Sequence, residues 1–213
     1  MKHIPEIPYL SDKQLRAQAS AFLDETHKSR TLPIPIELIV ERLGLDIVPV
    51  PGLQAGFDMV GCTSADITRI DVDAWVAESR ESRYRFTLAH EIAHIRLHRD
   101  IFTCLREEAS TPEEWREFIQ RIPDVLYRSM EWQANMFAGL VLAPPETLKQ
   151  QYDRMLPGVR KMMDDPRLQT VPREQVSEIA WEELVTRLAQ PFSVSSDVIG
   201  KRLELDGFKP RDL

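Results

Sequence analysis

The strongest constraint on the fold of this chain is a cluster of histidines. Three of its five histidines lie between positions 90 and 98, and the first two form the pattern His90-Glu91-Ile92-Ala93-His94. Because an α-helix turns by about 100° per residue, positions 90 and 94 are only about 40° apart around its axis. Two imidazoles on one helix face can bind the same metal ion, with the intervening glutamate as a general base. The pattern therefore predicts a helix that contributes two ligands to a metal site.

The residues around the motif indicate which way this helix faces. Phe86, Ala93 and Leu97 share the side of the two histidines, whereas the opposite side carries three arginines, Arg85, Arg96 and Arg99. We therefore expect the histidines to point into the protein, where a metal ion would be shielded. The alternative is a pair of core histidines satisfied by hydrogen bonds, with Glu91 exposed to solvent.

A third ligand favours the metal site, and Glu131 is the candidate. The continuation typical of metzincins needs Gly at position 97 and His at position 100, where the chain has Leu97 and Asp100. Glu131 lies on a later predicted helix and shares a face with Tyr127, Asn135, Ala138 and Leu142. A buried carboxylate needs a partner such as a metal ion, and Asn135 is placed to accept the second N–H of a ligating histidine. The competing interpretation is a salt bridge between Glu131 and an arginine at a helix surface.

Periodicity and the positions of proline and glycine predict a mostly helical α+β fold. Three short β-type runs, at 45–50, 57–63 and 67–72, are joined by connections that look too short for crossovers. We therefore expect a small, mostly antiparallel three-stranded sheet. Helices are predicted before and after these three runs in the sequence, at 11–27, 35–43, 79–99, 112–121, 124–143, 145–163, 173–189 and 195–206.

The predicted domain organisation has two parts. Residues 1–170 would form the main domain with the candidate metal site. Residues 171–213 would form a C-terminal helical subdomain, because the last two predicted helices are joined by the short turn of a helix-turn-helix.

The composition excludes several classes of protein. The 213 residues include 27 Lys and Arg against 34 Asp and Glu, a net charge of −7, which argues against indiscriminate nucleic-acid binding. No apolar run approaches the ~18 residues of a membrane span, and the N-terminus has charge and proline where a signal peptide needs an apolar segment. We therefore expect a cytoplasmic protein without a membrane anchor. Cys62 and Cys104 lack the Cys-x-x-Cys spacing of a thiolate zinc site.

Two stretches of the sequence carry a more specific signature. The first is RFTLAHEIAHIRLH, Arg85 to His98, and the second is EWQANMFAGLVLAP, Glu131 to Pro144, which begins 37 residues after His94. Together they resemble the ImmA/IrrE family of metallo-endopeptidases, and the resemblance extends over about residues 30–208. The family usually has Glu where this chain has Gln133, and Met where it has Ala143. Neither difference affects a proposed ligand.

The resemblance implies a zincin-like metallopeptidase domain of the gluzincin type. His90, His94 and Glu131 would bind Zn²⁺, or Mn²⁺, which the same donors accept, and leave one position open for water. Glu91 would take the proton from this water as it attacks a peptide carbonyl, then pass it to the leaving amine.

Three further residues are expected beside this site. Asn135 is a candidate to orient a ligating histidine. Tyr127 and His98 are candidates to stabilise the oxyanion, and either can equally be a packing residue or a partner of a ligand.

The resemblance also implies a substrate, a helix-turn-helix repressor of bacterial or phage stress response or mobile-element control. The acidic net charge suits such a basic partner. The alternative is a DNA-binding or metal-sensing transcriptional regulator that acts through its own C-terminal helix-turn-helix without proteolysis. The last predicted helix carries Lys201 and Arg202 but also Asp197, Glu204 and Asp206, which argues against direct DNA binding.

Overall fold

The chain folds into the expected α+β structure, in which helices surround one small sheet. The structure is a computed structural model that describes residues 7–108, 112–168 and 170–208. The strands are β1 (Asp46–Val50), β2 (Gly61–Thr63) and β3 (Arg69–Asp73). The helices are α1 (Asp12–Thr26), α2 (Ile36–Arg42), α3 (Leu53–Phe57), α4 (Ala74–Ser79), α5 (Glu81–Leu97), α6 (Arg99–Glu108), α7 (Pro112–Arg121), α8 (Asp124–Leu142), α9 (Pro145–Met163), α10 (Arg173–Phe192) and α11 (Ser196–Leu205).

The sheet is mixed, whereas we expected mostly antiparallel pairing. Its order is β1-β3-β2, with β3 parallel to β1 and antiparallel to β2. Residues 51–68 between β1 and β3 contain both α3 and β2, which makes the connection long enough for a parallel return. The expectation considered only the short connections between successive runs, and it therefore missed the parallel pairing of the first run with the third.

Several helix boundaries also differ from the predictions. The helix predicted over 79–99 is confirmed as α5, whereas the short helices on either side of it, α4 and α6, were not predicted. Helix α10 continues through Phe192, and Ser193 makes the turn to α11 with a φ of 50°. The turn therefore lies at 193–195, later than the predicted 190–193, and begins with one residue in the left-handed region.

The helix ends follow local sequence signals. Ser11 and Gln14 form a capping box at the start of α1, with the Ser11 N–H donating to Gln14 Oε1 over 2.9 Å. After α2 the chain turns at Gly44, whose φ of +74° is a conformation that glycine adopts without a steric penalty.

The core lies between the two helices that carry the motifs. Helix α5 packs along α8, and α1 covers α8 through a contact between Phe22 and Phe137, whose ring centroids are 5.6 Å apart. The same buried cluster continues into α10 and α11, and α9 packs against α10. The predicted division into 1–170 and 171–213 stays a prediction, and residues 1–6, 109–111, 169 and 209–213 lie outside the described part.

Arg85 fixes α5 within this framework. Its buried guanidinium donates to the backbone carbonyls of Ile34 and Ser193 and to the Glu37 carboxylate. One side chain thus joins the motif helix to the start of α2 and to the turn between α10 and α11. Within the described residues, no helix is long and apolar enough to cross a membrane.

Candidate metal centre

Helix α5 brings the two motif histidines together on one face. Their Nε2 atoms are 2.9 Å apart, and both side chains are largely buried. The inward orientation is as expected, but the reasoning from the arginines was wrong for two of them, because Arg85 is itself buried and Arg99 belongs to α6. The spacing of four residues is therefore sufficient to bring the two nitrogens to one point.

Helix α8 adds Glu131 at the same point. One carboxylate oxygen lies 3.3 Å from Nε2 of His90, and the other lies 3.3 Å from Nε2 of His94. Ligands about 2.1 Å from the centre of a tetrahedron are about 3.4 Å apart, so these two separations suit a tetrahedral ion. In the part of the chain that the structure describes, these three residues form the one group of this kind that could hold a metal ion.

Each histidine also has a partner at its second ring nitrogen. Nδ1 of His90 lies 3.2 Å from Oδ1 of Asn135, one helical turn after Glu131. Nδ1 of His94 lies 3.0 Å from Nδ1 of His98. A metal ion bound by both Nε2 atoms would leave each Nδ1 to carry the proton and donate it to its partner.

The hydrogen bonds from His94 continue away from the site. His98 accepts at Nδ1 and therefore carries its proton on Nε2, which donates to Oε1 of Gln133 over 3.4 Å. The Gln133 amide donates in turn to the Pro8 carbonyl and to Ser129. This chain of donors and acceptors is complete only while His98 is neutral.

The charges in the triad favour a positive partner for Glu131. Burial acts to raise the pKa of Glu131, but hydrogen bonds with His90 and His94 outweigh it and hold this pKa well below its usual range. Burial acts to lower the pKa of His90, and the bond to Glu131 together with nearby negative charge raises it overall. A cation is thus the favoured occupant beside Glu131, and the two imidazoles and one carboxylate are donors that suit zinc or manganese.

His98 has the opposite electrostatic environment. Burial, with the neighbouring His94 as a smaller cause, lowers the pKa of His98 to about 4. Its side chain is 1% exposed and faces His94 and Gln133, not the space in front of the triad. The structure therefore favours a role in orienting His94 over contact with an oxyanion.

Glu91 is buried, which disagrees with the alternative of a solvent-exposed carboxylate. It follows His90 on α5 and is 7% exposed, and its Oε2 accepts a hydrogen bond of 2.9 Å from the Thr63 hydroxyl. Thr63 belongs to β2, which packs on α5. The hydrogen bond from Thr63 was not predicted, because no local pattern links residues 28 positions apart. The role of Glu91 as general base stays a prediction.

Tyr127 lies one turn before Glu131 on α8 and remains 41% exposed. Partial burial raises the pKa of its hydroxyl, and the negative charges of Glu131 and Glu91 raise it further. The phenol therefore stays protonated at neutral pH and can donate a hydrogen bond near both carboxylates. Its predicted contact with an oxyanion stays a prediction.

Comparisons with known proteins agree with the motifs. The family model for the IrrE N-terminal-like domain, Peptidase_M78, matches residues 76–204. A solved structure, a Mycobacterium tuberculosis transcriptional regulator, is similar in fold, with a TM-score of 0.51 and 17% sequence identity. The match covers 92% of this chain and 56% of that chain, so this chain spans just over half the length of that structure. A comparison with curated proteins finds no match.

Proposed function

The chain belongs to the ImmA/IrrE peptidase family, whose model matches more than half of its length, and from this premise we propose that it is a zinc-dependent endopeptidase. The observation that carries the proposal is the convergence of His90, His94 and Glu131, with Glu91 beside them. The family suggests metallopeptidase chemistry, and the proposal adds a catalytic base and a protein substrate.

His90 and His94 would hold the metal through Nε2 and Glu131 through its carboxylate. When bound, the ion supplies Lewis-acid chemistry, in which it polarises a carbonyl and makes a water molecule more acidic. Asn135 and His98 would accept from the Nδ1 atoms and so keep the two Nε2 lone pairs turned toward the metal.

Glu91 is the residue proposed to move protons. Its buried carboxylate would accept a proton from the attacking water and return it to the leaving amine. The Tyr127 phenol, protonated at neutral pH, would donate a hydrogen bond to the substrate oxygen that becomes negative.

Strand β2 supports the proposal because it offers a place for a peptide substrate. It is the edge strand on the side of the sheet that contacts α5. The backbones of Val60 and Ser64 hydrogen-bond to β3, so by alternation Cys62 does the same, and the N–H and C=O groups of Gly61 and Thr63 point away from β3. An extended peptide would pair with these groups and so lie beside Glu91.

The proposed substrate is a helix-turn-helix transcriptional repressor in bacterial or phage regulation, as the family resemblance implies. The net charge of −7 supports a basic partner, because complementary charge accelerates encounter. Cleavage of one regulatory protein at selected bonds would link this chain to stress response or to the control of mobile elements.

The alternative of direct DNA binding loses support from α11. Arg202 is 2% exposed and pairs with Asp206, so it does not face a possible DNA ligand. The exposed charged residues of this helix are Asp197, Lys201 and Glu204, with a net charge of −1. A recognition helix normally presents basic and amide groups instead.

The test uses zinc-loaded protein and purified helix-turn-helix repressors encoded beside it, with fragments identified by mass spectrometry. The parent should produce few fragments, and a chelator should abolish them. Glu91→Gln should still bind zinc, but its cleavage rate should be lower by about 10²–10⁴-fold. The exposed control Glu182→Gln should cleave at the rate of the parent. Zinc binding without cleavage by any variant would instead favour a metal-sensing regulator.

A further inference from the structure

We propose that Thr63 and Gly61 are positioning residues that hold the Glu91 carboxylate in place from strand β2. Thr63 fixes Oε2, and this leaves Oε1 as the oxygen that can accept a proton. The catalytic meaning of this arrangement rests on the proposed function, but the placement of the side chain does not. Both residues lie outside the 76–204 segment that the family model matches.

The hydrogen bond is placed where it has a large effect on Glu91. Donor and acceptor are both buried, with Thr63 4% and Glu91 7% exposed, and their oxygens are 2.9 Å apart. Among the described residues, Thr63 is the hydrogen-bond partner of this carboxylate. A hydroxyl that donates to a carboxylate forms a strong bond, and burial strengthens it further. Loss of this one donor would free the Glu91 side chain to rotate.

Gly61 allows β2 to lie close enough for this bond. A Cβ built on Gly61 would overlap the Cγ2 methyl of Thr87 on α5 and come within 3.6 Å of Glu91 Oε1. The Gly61 backbone does not have a positive φ, so the reason for glycine here is space and not conformation. Residues 61 and 63 lie on the same face of the strand, toward α5. The missing side chain at 61 thus lets the hydroxyl at 63 reach Glu91.

This arrangement places two functions on one strand. The backbone of β2 has its free edge beside Glu91, and its side-chain face holds that carboxylate. A peptide paired with β2 would therefore be fixed relative to the proton acceptor through three residues of one strand. Such alignment has a large effect on the reaction rate, because a displacement of about 1 Å can lower the rate by on the order of 100-fold.

Thr63→Val and Thr63→Ser form the matched pair for the test. Val has the same shape without the hydroxyl, and Ser keeps the hydroxyl without the methyl. The probe is the peptide that the zinc-loaded parent cleaves fastest from a fluorescence-quenched library of mixed sequence. We expect Val to lower kcat by roughly 10- to 100-fold with KM and zinc content unchanged, and Ser to stay within about 3-fold of the parent.

A second readout does not depend on activity. Crystal structures of the parent and both variants should show the Glu91 carboxylate displaced in Thr63→Val and restored in Thr63→Ser. If the Val variant does not fold, Thr63→Ala removes the same hydroxyl. An unmoved carboxylate in the variant without the hydroxyl overturns the inference, and so does a displaced carboxylate with unchanged kcat.

Gly61→Ala tests the spacing independently. It should lower kcat as Thr63→Val does, and Thr87→Ala in the same chain should restore much of the loss, because it removes the overlapping methyl. Failure of this rescue contradicts the role given to Gly61. If the parent cleaves no peptide while Thr63→Val displaces Glu91, the proposed peptidase function fails and the positioning of Glu91 by Thr63 is supported.

Discussion

Replacement of His98 by asparagine should make the fold less sensitive to acid. His98 connects His94 to Gln133, and the chain of hydrogen bonds requires its neutral form. The Oδ1 atom of asparagine can occupy the place of Nδ1 and accept from His94, but asparagine does not titrate. The variant therefore removes one titrating group and keeps the contact with the ligand.

The size of the effect follows from the pKa of His98. Burial lowers this pKa from 6.5 to about 4 in the folded protein, whereas the unfolded chain keeps the ordinary value. Between these two pH values the unfolded state takes up a proton that the folded state does not, so the free energy of unfolding decreases as the pH falls. The difference of 2.5 pH units corresponds to about 3 kcal/mol in the free energy of unfolding. The folded protein has this contribution above pH 6.5 and loses it as the pH falls to 4.

Urea denaturation of metal-free protein between pH 7 and 4 measures this effect. The parent should lose about 3 kcal/mol more than His98→Asn over that range. The control His27→Asn replaces a partly exposed histidine that lies outside this chain of hydrogen bonds, and it should follow the parent. Parallel curves for the parent and His98→Asn would refute the argument that His98 is buried in its neutral form.

Three other changes probe the contacts around the site. Asn135→Ala should lower zinc affinity by about 10- to 100-fold in a chelator competition, because Nδ1 of His90 loses its acceptor, and an unchanged affinity would contradict that role. Arg85→Met should lower the free energy of unfolding by about 2–4 kcal/mol, because it leaves buried carbonyls without donors; a loss below about 1 kcal/mol in urea would count against the link. Burial raises the pKa of Cys62 to about 12, so in a Cys104→Ser background native protein at pH 8 should resist iodoacetamide while unfolded protein reacts, and rapid native labelling would contradict this.

Sequence periodicity was enough to predict the ligand geometry at this site. His90 and His94 lie on one helix, and the face of α8 that carries Glu131 is buried at Ala138 and Leu142, although its earlier members Tyr127 and Asn135 are exposed. The contact between His94 and His98 was also within reach of the sequence, since the two are again four positions apart. Short-range spacing on a helix is fixed by helix geometry, and this is why these positions could be predicted.

Contacts between distant elements could not be predicted in the same way. The bond between Thr63 and Glu91 depends on the packing of β2 against α5, and the space for it depends on Gly61. The parallel pairing of β1 with β3 depends on α3, whose five residues are too few to show a helical period. These features arise from tertiary packing, which a pattern within one segment does not contain.

Zinc-edge anomalous diffraction from crystals grown with zinc tests the central claim most directly. The account predicts one strong peak about 2.0–2.2 Å from Nε2 of His90, Nε2 of His94 and an oxygen of Glu131, with Glu91 outside the coordination sphere. A peak bound by other residues, a peak that includes Glu91 as a ligand, or no peak between the three side chains would contradict it.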